Sequence, residues 1–61
     1  MKKINFENMT KDEALKYCWE YEEEFIKDSG TNGREEFDSM VSLLEDGYIK
    51  PVDLPDYGMD Y

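Results

Sequence analysis

The chain contains no histidine. That removes the usual general base at neutral pH and any Cys–His or Ser–His nucleophile. Its single cysteine, Cys18, excludes an intrachain disulfide, and with no second cysteine there is no CxxC pair to hold zinc. No glycine-rich phosphate loop occurs. No apolar run approaches the roughly 18 residues that a membrane span needs. Lys2 and Lys3 are followed by no apolar segment of the secretory type. A lone thiol suits a reducing compartment, so the expectation is a cytoplasmic protein with no metal and no other cofactor.

Basic residues are scarce as well. Seven stand against 16 acidic ones, for a net charge of −9 on 61 residues. Residues 1–19 carry +1, and residues 20–61 carry −10. Such a chain repels nucleic-acid phosphates and anionic membrane surfaces, so neither is expected as a direct partner. The complementary partner is a basic protein surface. Solubility alone is the plainer explanation of the same acidity.

What is present is a helical pattern in one small domain spanning residues 1–61. Its core is only marginally sufficient at this length. Nine aromatic residues argue against disorder. Residues 10–29 read as one helix. Thr10 is a good N-cap, Glu13 completes a capping box, and Gly30 is a stop. On a helical wheel Ala14, Leu15, Cys18, Trp19, Tyr21, Phe25 and Ile26 span roughly 200°, with Tyr17 at the edge, wider than a usual apolar stripe. Residues 33–46 read as a second helix, with Phe37, Met40, Val41 and Leu44 on a narrow stripe. Glu35 and Glu36 stand in its first turn, where the helix dipole favours them. Its outer face reads as acids and serines with no base. Gly47 ends it, and Tyr48 is placed to fold back on Leu43 or Leu44. Pro51 and Pro55 exclude a continuing helix, so residues 47–61 read as an extended tail.

The architecture expected is all-α: a two-helix antiparallel hairpin with extended N- and C-terminal arms. Ile4 and Phe6 share one side of the N-terminal arm at period two, so a short strand pairing between KINF and YIK is an option. The first helix offers more apolar surface than the second can cover. The arms, a second copy or a partner must cover the rest, which makes a homodimer one expectation.

Several stretches invite a chemical reading. In KDSGTNGREEFDS, Asp28, Asn32 and Gly33 match offsets 1, 5 and 6 of an EF-hand loop. Offset 3 is Gly30 and offset 12 is Ser39, however, so two ligand positions fail and the stretch reads as an interhelical turn. The glutamates of WEYEEEF diverge around the wheel and do not converge on a metal. Glu22 falls inside the apolar arc. An unpaired carboxylate is costly there, so it must sit at a rim, pair with Lys3, Lys11 or Lys50, or accept from a tyrosine. It has no second acid or nucleophile beside it, as an active site would require. Cys18, among apolar neighbours, reads as a small hydrophobe. The tail DLPDYGMDY reads equally as a docking peptide and as an arm that closes the core.

No catalytic residue emerges, and the function expected is that of a non-enzymatic acidic protein-binding module. In its concrete form it is an inhibitor that mimics nucleic acid and blocks a basic site on a DNA- or RNA-binding protein. Carboxylates about 6 Å apart along a helix face substitute for a row of phosphates. The residues assigned to partner binding are Glu20, Glu23, Glu24, Glu35, Asp38, Glu45 and Asp46 for charge, with Trp19, Tyr57 and Tyr61 as apolar anchors. In composition alone the chain is similar to small phage-encoded inhibitors and nuclease immunity proteins. The alternative is a self-associating accessory protein whose acidity only solubilises it.

Overall fold

The computed structural model describes residues 5–61. Three α-helices follow one another: α1 (Lys11–Glu20), α2 (Glu22–Ser29) and α3 (Gly33–Asp46). Three short 3-10 segments accompany them, at Phe6–Asn8, Gly30–Asn32 and Pro51–Tyr57. The protein is all-α, with no strand among the described residues. The hairpin with extended arms needs correction in three places.

The single helix over 10–29 is two helices. The Thr10 cap forms as expected: its hydroxyl accepts from Glu13 N–H at 3.1 Å, and its own N–H donates to the Glu13 carboxylate at 2.9 Å. At Tyr21 the backbone leaves the helix, with φ −107° and ψ 21°, and its N–H is shared between the carbonyls of Tyr17 and Cys18. No proline or glycine causes this break. Glu22, Glu23 and Glu24 then fill the first turn of α2, where the positive helix end favours carboxylates.

The C-terminal tail is not extended. Lys50 is, with φ −108° and ψ 163°, as the residue before a proline prefers. Asp53 then accepts from Lys50 N–H at 2.9 Å, and Pro51 opens a 3-10 helix to which its fixed φ is suited. Gly58, left-handed at φ 95°, closes it. Its N–H donates to Pro55 O at 3.0 Å, and Met59 N–H donates back to Leu54 O at 3.1 Å. Gly47 ends α3 by the same device, with Tyr48 N–H on Leu43 O at 2.9 Å. The backbone of Tyr48 folds back there, but its side chain is 78 % exposed. Ile49 packs on the core in its place.

In the described part of the N-terminal arm, Phe6–Asn8 forms a 3-10 turn that lies against the C-terminal 3-10 helix. The pairing of KINF with YIK as strands falls partly outside the described residues. Lys3 and Ile4 lie outside the described residues.

The core is Ala14, Tyr17 and Cys18 from α1, Phe25 from α2, Phe37, Met40, Val41 and Leu44 from α3, and Leu54 and Met59 from the tail. Direction is read from three levels. Lys11 Nζ donates to Glu45 O at 3.0 Å. Trp19 meets Phe37 edge-to-face at 5.1 Å between ring centres. Gly33 abuts the backbone of Ile26. Thus α3 runs back along both α1 and α2. Leu54 and Met59 are fully buried, and each such side chain contributes about 1.5–3 kcal/mol. That is comparable with the roughly 3–5 kcal/mol a core of this size supplies, so the tail belongs to the fold.

Candidate functional site

The carboxylates stand mostly in solvent. Of the 16 acidic residues all but Glu22 and Asp53 are exposed. Glu20 closes α1, Glu23 and Glu24 open α2, Glu35 and Asp38 lie in the first half of α3, and Glu45 and Asp46 end it. Among the described residues two carboxylates come within ion-pair distance of a base, and both meet Arg34. Its Nη1 is 2.7 Å from Glu22 and 3.8 Å from Asp38. The outer side of α3 is therefore not wholly without a base. Among the described residues the partner of Glu22 is Arg34 and neither Lys11 nor Lys50; Lys3 lies outside them. The break at Tyr21 moves Glu22 out of the apolar arc to a rim, where the cation of α3 reaches it; Lys11 is engaged at the Glu45 carbonyl.

The aromatic residues assigned as anchors differ in setting. Trp19 is 51 % exposed, with one edge on Phe37. Tyr57 is 42 % exposed. Tyr61 is held on three sides. Its ring stacks on Tyr21 at 5.6 Å and 10°. Its N–H donates to the Tyr17 hydroxyl at 2.7 Å, and its own hydroxyl donates to Asp28 at 2.6 Å. Burial and the donated bond to Asp28 push the Tyr61 phenol up to about 12. Burial also raises Tyr17, with the bond from Tyr61 N–H opposing it. Burial alone pushes the Cys18 thiol up to about 11, which makes it a poor nucleophile.

Between α2, the first half of α3 and the C-terminal 3-10 helix lies a cleft of about 390 Å³. Phe25 and Met40, both buried, line it together with Asn32, Glu35, Glu36, Ser39 and Tyr57. The sequence places Glu35 and Tyr57 among the binding residues as separate features, and the structure brings them to one hollow. Glu36, Asn32 and Ser39 are missed by sequence reasoning. Asn32, at the end of the turn before α3, and Glu36 and Ser39 on α3 share the helical spacing of Glu35, but the tail that completes the cleft reads from sequence as extended.

The EF-hand-like stretch is divided between elements. Asp28 ends in the bond from Tyr61, and residues 30–32 form the turn. Among the described residues no three Asp, Glu, Cys or His side chains gather as a metal centre would, and no helix is long and apolar enough to cross a membrane. The chain matches no family model, no curated protein and no solved structure.

Proposed function

We propose that this protein is a non-enzymatic binding module that offers its carboxylates to a basic protein surface. In its concrete form it is an inhibitor that occupies the nucleic-acid site of another protein. The observation that carries this reading is the outward placement of the acids on all three helices with Arg34 alone pairing any of them among the described residues. Solubility in a small domain is reached at a net charge of about 2–8 in magnitude. The chain stands at −9 with most of its carboxylates uncompensated. Unpaired carboxylates raise the local potential and steer a cationic partner.

The test is competition. The purified protein is added to a panel of basic nucleic-acid-binding proteins on labelled duplex DNA or single-stranded RNA at low salt. The expected result is displacement of the nucleic acid from at least one of them, weakening as salt rises. A triple variant, Glu20→Gln, Glu23→Gln and Glu24→Gln, is expected to displace less. No displacement anywhere on the panel at low salt counts against the reading.

The half-exposed Trp19 favours a second reading, in which a second copy covers that edge and the acidity serves solubility. Sedimentation velocity separates the two, since a monomer at the highest concentration the protein reaches excludes self-association.

A further inference from the structure

The cleft between α2, α3 and the C-terminal 3-10 helix has a composition that open helix faces lack. Phe25 and Met40 lie at its bottom, 2 % and 0 % exposed and already packed in the core. Two exposed carboxylates, Glu35 and Glu36, stand at its wall, and among the described residues neither has a base within ion-pair distance. Half-exposed Tyr57 supplies an aromatic ring at the rim, and Asn32 and Ser39 add neutral hydrogen-bonding groups. Its volume, about 390 Å³, lies in the range of about 300–1,000 Å³ usual for ligand sites.

We propose that this cleft is a socket for an arginine side chain of the basic partner. The inference deepens the proposed function and rests on it. An arginine has two halves, and the cleft matches both. Its methylene stem buries readily along apolar surface while the charged head stays near water, and half-exposed Tyr57 offers that surface. Its guanidinium is planar, pairs side-on with carboxylates and stacks on aromatic rings. Glu35 or Glu36 and Tyr57 supply those two partners. Lysine satisfies the charge but neither the side-on pairing nor the planar stacking. A second hollow, lined by Glu23, Glu24, Ile26, Lys27 and Arg34, already contains two cations and suits such a guest less well. Charge complementarity thus selects the guest, and Glu35 and Glu36 beside the half-exposed Tyr57 ring select the cleft.

The experiment is an amide NMR titration of the full chain with N-acetyl-arginine amide, and in parallel with N-acetyl-lysine amide. With the arginine compound, shift changes are expected to centre on Asn32, Glu35, Glu36, Ser39 and Tyr57. The lysine compound is expected to bind more weakly at the same place. Glu35→Gln and Glu36→Gln, both exposed and free of structural hydrogen bonds among the described residues, are each expected to weaken arginine binding by about fivefold, the worth of one good exposed ion pair. Unchanged amide dispersion in each variant shows that it still folds. Shifts spread evenly over all acidic faces, equal response to both compounds, or no response at all overturns the socket. The outcomes also separate the two readings. A basic protein that binds while the cleft stays silent leaves the module and removes the socket. An arginine that enters the cleft while no basic protein binds keeps the socket and removes the module.

Discussion

Gly33 is helical, at φ −56° and ψ −43°, so its backbone has no need of glycine. What it lacks is room. A Cβ there would lie 2.4 Å from the Ile26 carbonyl oxygen and 2.8 Å from Ile26 Cα. Those are backbone atoms of α2, and they cannot swing aside as the end of a side chain can. Two effects of Gly33→Ala therefore oppose each other. Helix propensity favours alanine by about 0.5–1 kcal/mol, and overpacking costs about 1–3 kcal/mol. The clash is expected to win, lowering the melting temperature by several degrees, given about 4–8 °C per kcal/mol at this size. Ser42→Ala, on the exposed side of the same helix, is the control and is expected to melt no lower than the natural protein. A Gly33→Ala chain that melts higher would mean that α2 and α3 separate there without loss. From sequence this glycine is readable as part of the turn. The close approach that demands it is a tertiary fact, invisible along the chain.

At the scale of elements, legibility follows locality. The Thr10–Glu13 box and the Gly47 stop depend on residues within one turn, and both form as the residue types dictate. The break at Tyr21 carries no such mark. It places Glu22 at a rim beside Arg34 and lets Tyr17, Tyr21 and Tyr61 form one aromatic run, with centroid separations of 5.1 and 5.6 Å. Two prolines make the tail read as extended, although the same ring geometry suits a 3-10 turn. Tyr61 then latches that tail to α2 through Asp28, and the latch has a pH dependence. The folded state holds the Tyr61 phenol near 12 against an ordinary 10.0, so folding favours the protonated form. Stability from this group is full below about pH 10 and is lost as pH rises through about 12. The urea midpoint is expected to fall as pH climbs from about 10 to 12, and Tyr61→Phe is expected to show a shallower fall. Equal slopes in the two proteins would show that the hydroxyl does not contribute to holding the tail.

At the scale of the whole molecule, charge acts on folding and on binding with opposite sign. The Cα radius of gyration is 10.7 Å, and the extents are 32 × 31 × 17 Å. The screening length is about 30 Å at 0.01 M salt and about 10 Å at 0.1 M. In dilute buffer each exposed carboxylate therefore feels every other across the body, whereas at moderate salt it feels only its own element. Among the described residues the ion pairs are too few to offset this. Both involve Arg34, whose side chain is 60 % exposed, and pairs of that kind contribute about 0–1 kcal/mol. A net charge of −9 destabilises the compact state through self-repulsion, so adding salt is expected to stabilise the fold. Thermal melts from about 10 mM to about 0.3 M sodium chloride are expected to show a rising midpoint. The triple variant Glu20→Gln, Glu23→Gln and Glu24→Gln is expected to start higher and rise less. A midpoint that falls with salt would mean that attraction around Arg34 outweighs the repulsion. A basic partner relieves the same repulsion without salt, by supplying the missing cations itself. Salt that strengthens the isolated fold and weakens the complex, in one protein over one concentration range, is the signature of a charge held in reserve for a partner. Acidity that serves solubility alone predicts only the first half of that pair.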